Sequence, residues 1–423
     1  MLLKFSLSNF FSIKDEITVD FRAKNIATKG AKDLSDNVFT YDNKKYLKTI
    51  GVFGPNASGK SSIVKALGFC YETVVKSHLN NNGSIFNFMP FKFDNYFEKP
   101  STFSINFIQD GVEYEYSFSL TLQEIISESL YYYPGKRKAK IFTRQEKVGK
   151  PKEEIYSFSE GHFVKPMDVA QSTSRNTLFI SRASQMDREL AKKIYSFFYK
   201  NSYIGLPLIH NNYAVVLFKE NKELILSALK MADSDIIDIT VKQQKMNIPT
   251  AAAFIQAGRE VIPGIPSVQQ EIIVRYLTTH KKNPEILFDL FSEESDGTIQ
   301  LFSLLLILLD VCKNGKSLIV DEFDENLHSD LAEFILNVVY ASKNAQLLFT
   351  SHNTNLIDVK KLRRDQICFT NKKEDASTEF YSLFDFKDFR ENMDAEKGYL
   401  QGRFDAVPYT LSSIEAIKKL FEK

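Results

Sequence analysis

The octapeptide Gly54-Pro55-Asn56-Ala57-Ser58-Gly59-Lys60-Ser61 constrains this chain more than any other stretch. Upstream, Tyr46 to Phe53 reads as a short strand that becomes wholly apolar. Downstream, Ser62 to Phe69 places Ile63, Ala66 and Leu67 at helical spacing. A glycine-framed loop between a strand and a helix is the context a phosphate-binding loop needs. Gly54 and Gly59 let the backbone turn tightly, so that successive N–H groups and the helix N-terminus point at one anionic centre. Lys60 adds a full positive charge near the outer phosphates, and the Ser61 hydroxyl suits magnesium, which takes hard oxygen ligands. The nucleotide-contacting set is therefore Gly54, Pro55, Asn56, Ala57, Ser58, Gly59, Lys60, Ser61 and Ser62.

The chain has 423 residues, enough for two or three ordinary domains or one large one with insertions. Lys and Arg total 54 against 53 Asp and Glu, so no global charge bias draws it to nucleic acid or membrane, and any such contact needs a local patch. Cys70, Cys312 and Cys368 lie far apart in apolar contexts, which suits reduced thiols in the cytoplasm. The N-terminus alternates like a strand and lacks the apolar core of a signal peptide. The run Leu301 to Leu309 is about half of a membrane span and reads as a buried helix, so no membrane partner is expected.

Residues 1–175 read as a β-rich lobe around the first half of a nucleotide domain. Strands are expected at Thr102 to Ile108, Val112 to Thr121 and Ile125 to Tyr133. Residues 176–268 read as a helical insertion, with helices at 188–198 and 221–230 and a proline-marked loop at 247–267. From 269 to 423 strands and helices alternate: strand 271–276, helix 297–311, strand 317–320, helix 329–340, strand 346–350. That alternation implies a parallel sheet covered on both faces, and a nucleotide domain split by the insertion.

The second half carries the rest of the chemistry. Ser317-Leu318-Ile319-Val320-Asp321-Glu322 is an apolar strand ending in two carboxylates. In a P-loop enzyme the first, Asp321, serves magnesium and the second, Glu322, polarises the attacking water. Leu347 to His352 is another apolar strand, ending in an imidazole that would contact the terminal phosphate or the water. Glu294-Ser295-Asp296-Gly297-Thr298 precedes a helix and offers a second anion site through Ser295 and the helix N-terminus.

The order of P-loop, signature-like segment, acidic strand end and strand-end His resembles the ABC-type ATPases of the SMC, RecF and OLD group. It is most similar to the OLD/RecF-like AAA ATPases of bacterial abortive-infection and other phage-defence loci. The likeness also runs through Leu2 to Ile13, Pro90 to Phe93, Thr177 to Ser181, Ala232 to Ile236, Asp321 to His328, Arg364 to Ile367, and Tyr399 to Phe404 with Val407-Pro408. Two positions depart from it: Phe11 stands where relatives often carry a basic residue, and Asp405 stands where a glycine is expected. No glutamine is assigned to magnesium sensing, Gln109 lying at a hairpin turn.

The resemblance implies an α/β fold, an ABC/SMC-like P-loop ATPase head with a β-rich N-terminal lobe and a helical insertion. It implies ATP and Mg2+ as cofactors, with Lys60, Glu322 and His352 catalytic and Ser61 and Asp321 on the metal. ATP held by Asn56, Gly59, Lys60 and Ser61 of one subunit would be closed over by Ser295 and Gly297 of a second, making an ATP-sandwiched dimer. The function it implies is a nucleotide-gated sensor or scaffold in antiviral defence, controlling a separately encoded effector such as a TOPRIM-type nuclease. The alternative is a DNA-repair or chromosome-maintenance ATPase of the RecF/SMC type. For that reading the cluster Lys136-Arg137-Lys138-Ala139-Lys140 with Arg144, Lys147, Lys150 and Lys152 would follow a phosphate backbone. A transporter ATPase fits less well, because an insertion splits the core and the signature is not Leu-Ser-Gly-Gly-Gln.

Overall fold

Thr49–Phe53, the strand before the P-loop, is buried at every position. That burial follows from its place inside a six-stranded sheet, ordered Ser202–Ile204, Ser317–Val320, Gln346–Ser351, Thr49–Phe53, Ile367–Lys372, Thr378–Ser382. The first five strands run parallel and the last antiparallel. Strands buried on both faces read as unbroken apolar runs, which is why Leu318 to Val320 and Leu347 to Phe349 were legible. The computed structural model describes residues 1–26, 34–81, 83–205, 212–231, 234–250, 253–254, 262–263, 267–390 and 393–406. Ala232, Asp233, Val407 and Pro408, cited for the family likeness, lie outside the described residues.

A second, seven-stranded sheet is antiparallel throughout. Its order is Tyr156–Phe158, Ala139–Gln145, Ile125–Tyr132, Val112–Leu120, Ser101–Gln109, Leu2–Ser8, Ile17–Asp20. The helix that leaves the P-loop, Lys60–Lys76, buries Ile63, Leu67, Cys70 and Val74 in one core with Phe5 and Phe103 of this sheet and Ile319 and Leu348 of the parallel one. Helix Glu189–Lys200 joins that core: Phe197 stacks on Phe107 at 4.1 Å, and Phe198 meets Tyr71 edge-on at 5.0 Å. These two sheets and the helices between them make a mixed α/β head that carries the P-loop, with a β-rich N-terminal lobe.

Arg144, read as part of a basic surface, is instead sealed in the core with its side chain fully inaccessible. It donates to Glu146 at 2.7 Å and to the carbonyl of Thr177 at 2.6 Å, and lies 3.7 Å from Glu128. Glu128 in turn accepts the amides of Phe179 and Ile180 at 2.6 and 3.1 Å, at the start of helix Phe179–Gln185. Burial raises the Glu128 pKa, and Arg144 opposes that rise. Deleting one partner of such a buried set costs about 3–5 kcal/mol, because the other is left uncompensated. Elsewhere in the same basic cluster, Lys138 pairs with Glu115 at 2.6 Å and Lys152 with Glu146 at 3.6 Å.

The chain divides into two units, one of Met1–Gly205, Val311–Asp324 and Ala332–Lys423, the other of Leu206–Asp310 and Glu325–Leu331. This division runs elsewhere than the boundaries drawn at 175/176 and 268/269. The helices at 179–185 and 189–200 go with the head because their apolar faces pack on it. The second unit carries helix Asn212–Met231, kinked at Asn221, and most of helix Asp296–Asn314. With them comes a β-ribbon of which only the strand at 271–276 was expected: Ile236–Thr250 pairs antiparallel with Ser267–His280, which pairs with Asn283–Asp289. Residues 247–250, expected as loop, end the first of these strands. Pro249 misled that reading, since proline is tolerated on edge strands and a ribbon is mostly edge. Phe218, Tyr276 and Phe302 form this unit's aromatic centre, with ring centroids 5.2–5.9 Å apart. Among the described residues no helix is long and apolar enough to cross a membrane.

Candidate functional site

The loop's two glycines are required by what surrounds them. Gly54 has φ +155°, and a Cβ there would stand 2.5 Å from the carbonyl of Thr370. Gly59 has φ +107°, and its Cβ would come within 2.1 Å of Thr378 Oγ1. Around this cradle hydroxyls form a strap. Ser58 Oγ meets Thr370 Oγ1 at 2.6 Å, and Thr378 Oγ1 donates to the Ser58 carbonyl at 2.9 Å and lies 2.8 Å from Ser12 Oγ. Ser12 Oγ lies 3.0 Å from Ser62 Oγ. Both ends of the chain therefore hold the P-loop in shape.

Lys60 is buried and curls back over the loop, donating to the carbonyls of Gly54 at 2.7 Å and Pro55 at 3.1 Å. Burial lowers its pKa to about 8, against the opposing pull of Glu322 and Asp321. These carboxylates arrive from the next strand but one. Val320 pairs with Phe349 and Ser351 with Phe53, so the ends of three neighbouring parallel strands bring Asp321, His352 and Gly54 to one edge of the sheet. Ligands of open α/β sheets bind at this carboxyl edge.

Thr350 organises the acids. Its hydroxyl donates to Asp321 Oδ1 at 2.5 Å and accepts the Glu322 amide at 2.7 Å. Glu322 has φ +49°, an unusual state for a residue with a side chain, and its Oε1 lies 3.6 Å from His352 Nε2. Ser351 donates to Asp324 at 2.7 Å, and burial raises the Asp324 pKa against that bond.

Asn56 to Ser62, Glu322 and His352 line one cavity of about 820 Å³, with Lys92 and Lys372 adding positive charge. That volume suits a nucleotide-sized ligand. The cradle a Cβ would fill, the buried ammonium and the backbone amides fit a polyphosphate. Ser61 and Asp321 supply hard oxygens of the type magnesium takes, completed by phosphate and water. Among the described residues no group of three or more His, Cys, Asp or Glu is placed to hold a metal by itself.

Ser295 and Gly297 belong to the second unit and are not among the residues lining this cavity. Ser295 Oγ accepts the Thr298 amide at 3.2 Å and so caps helix Asp296–Asn314. Gly297 faces the carbonyl of Asn326, which a Cβ would meet at 2.8 Å. The preceding Glu294 is held by His280, whose Nε2 is 2.7 Å from it while Nδ1 is 2.8 Å from Asp235. Gln109 accepts from Asn201 Nδ2 at 2.7 Å in the β-lobe.

Sequence reading missed Ser12, Thr350, Thr370, Thr378, Lys92 and Lys372. Short hydroxyl residues leave little local trace, and Thr370 and Thr378 sit on two strands that were not anticipated. Ser12 and Lys92 fall within stretches that carry the family likeness, and Thr350 stands two residues before His352 at the end of an apolar run.

No curated protein sequence matches the chain. Similar solved structures include an SMC head domain from Thermotoga maritima, at 12% identity over 90% of this chain and 98% of that one, TM-score 0.41. Another is an Smc head with an extended coiled coil bound to the C-terminal domain of ScpA, derived from Pyrococcus furiosus, at 11% identity over 90% and 96%, TM-score 0.39. A third, an SmcHead bound to the C-winged helix domain of ScpA, is 13% identical over 90% and 97%, TM-score 0.39. Residues 50–358 match the family model described as "AAA domain, putative AbiEii toxin, Type IV TA system", a span from the P-loop strand past His352. The chain belongs to this family of AAA-domain proteins, and its P-loop head is that of an ATP-utilising protein.

Proposed function

We propose that the chain is an ABC-type ATPase that binds and hydrolyses ATP and works as a nucleotide-gated sensor or scaffold in antiviral defence. The observation that carries the ATPase reading is the convergence of the P-loop, Glu322 and His352 on one cavity, with Asp321 at the end of the strand that delivers Glu322. In that reading Gly54 to Ser62 cradle the phosphates, and Lys60 swings from the Gly54 carbonyl to balance their charge. Ser61 and Asp321 hold magnesium, which when bound would neutralise charge on the phosphate oxygens. Glu322 takes a proton from the attacking water, and His352 hydrogen-bonds the terminal phosphate or that water. Ser295 and Gly297 of a second copy close the site, so ATP favours a dimer that hydrolysis loosens.

The defence role rests on the family description, which names an abortive-infection toxin and a toxin–antitoxin system. Within that family the OLD/RecF-like likeness points to a separately encoded, nuclease-like effector rather than damage done by this chain. Two measurements test the pair of readings. Steady-state ATP turnover should vanish in Lys60→Ala and Glu322→Gln; unchanged turnover in both would sink the ATPase assignment. Purification from the native operon should recover an effector, and Lys60→Ala should lose phage protection. Recovery of no partner with full protection would remove the defence role.

A further inference from the structure

Phe11, the position that departs from the family pattern, stands at the tip of a tight turn. Phe10 N donates to Ile13 O at 2.8 Å and Ile13 N returns to Phe10 O at 2.9 Å. Phe11 itself has φ +49°, a costly state for a bulky residue, which persists only where the surroundings over-determine it. They do so here. The Phe11 amide donates to Met89 O at 2.7 Å. Buried Asn9 gives its Nδ2 to the carbonyls of Tyr96 and Lys99, both at 2.8 Å, and accepts the Phe91 amide at 2.9 Å. The next residue, Ser12, belongs to the hydroxyl strap on the P-loop.

The ring so placed is not buried. Phe11 is 39% exposed, and Met89 and Phe93, which line the same cavity as the P-loop, are 43% and 58% exposed. Each aromatic has a buried ring bracing it edge-on, Phe10 at 4.9 Å from Phe11 and Phe91 at 5.5 Å from Phe93. Rigid, supported, half-exposed rings beside a phosphate cradle make a platform for another flat ring.

We propose that Phe11, with Met89 and Phe93, seats the base of the bound nucleotide and takes it by stacking. This rests on reading the cavity as a nucleoside triphosphate site. Phe11, Met89, Pro90, Phe91 and Phe93 are apolar, and the charged groups beside them are Lys92 and Lys65, whose Nζ lies 5.8 Å from the Phe11 ring centroid; the rim therefore grips the π-face and leaves the hydrogen-bonding edge unread. A site of that kind accepts adenine and guanine nucleotides alike, since an apolar pocket discriminates by at most about 100-fold between similar ligands.

The test is calorimetric titration of the full chain with ATP, GTP and inorganic tripolyphosphate in magnesium buffer. Wild type should bind ATP and GTP within about 100-fold of each other. Phe11→Ala and Phe93→Ala should each weaken both nucleotides by about 5- to 140-fold and leave tripolyphosphate binding unchanged. The sequence contains no tryptophan, so Phe11→Trp adds a single reporter that should keep affinity and lose emission with ATP but not with tripolyphosphate. It also decides the matter if the alanine variants fail to fold. Unchanged nucleotide affinity in both alanine variants, or Phe11→Trp emission indifferent to bound ATP, overturns the base seat and leaves the P-loop reading intact. Wild type binding neither ATP nor tripolyphosphate overturns both.

Discussion

The hydroxyl of Thr350 donates to the Asp321 carboxylate at 2.5 Å, tying the end of one parallel strand to the end of its neighbour. Because the same oxygen accepts the Glu322 amide, one side chain sets the position of both acids. Thr350→Val keeps the shape and removes both bonds. ATP turnover should fall about 10- to 100-fold and the magnesium concentration needed for half-maximal rate should rise, as when a supporting contact to a metal ligand is lost. Thr350→Ser should restore both values, and a valine variant with wild-type magnesium dependence would refute the link.

Glu322→Gln should separate binding from chemistry. Loss of a general base costs about 10²- to 10⁴-fold in rate, while the P-loop contacts stay in place. Size-exclusion chromatography should show a dimer that persists with ATP, and equal elution with and without nucleotide would count against the sandwich.

Lys60 is the reverse case, a residue whose charge is buried in the loop at a cost. Its folded pKa of about 8 lies below the unfolded value near 10.4, so the unfolded chain holds more protons between those limits. Stability should therefore rise with pH from about 8 to 10 through this group. Lys60→Met should raise the Tm of the nucleotide-free protein near neutral pH and abolish its upward shift with ATP. Thermal melts with and without ATP read both effects.

His280 gives a pH dependence of opposite sign in the second unit. Burial disfavours its charged ring, but the bonds to Asp235 and Glu294 outweigh that and raise its pKa. Its stabilising share is complete below the unfolded value of about 6.5 and is lost as pH rises through the folded value above it. His280→Gln should flatten the Tm-versus-pH curve in that window. An unchanged slope would show that the two carboxylates do not hold the ring.

The P-loop and the acidic strand end were legible because each is a contiguous stretch whose chemistry needs those residue types in that order. What holds them was not. Ser12, Thr370 and Thr378 reach the loop from opposite ends of the chain, and no periodicity announces a hydroxyl that bonds across such a separation. Arg144 looked like one more base in a charged stretch until Glu128 and Glu146 enclosed it. The end of the ribbon strand Ile236–Thr250 was obscured by Pro249, since proline argues against a strand only where both edges are paired.

The strand order of the parallel sheet also sets a timetable. The P-loop strand lies between Gln346–Ser351 and Ile367–Lys372, and Phe53 and Thr370, which touch across it, are 317 residues apart. At roughly 5–20 residues per second of synthesis, about 15–60 s separate the two. For most of that time a strand destined for full burial has neither neighbour, and the phosphate cradle has no wall. Nucleotide competence thus arrives late and at once, and the unfinished chain carries the exposed edge on which aggregation or a chaperone would act.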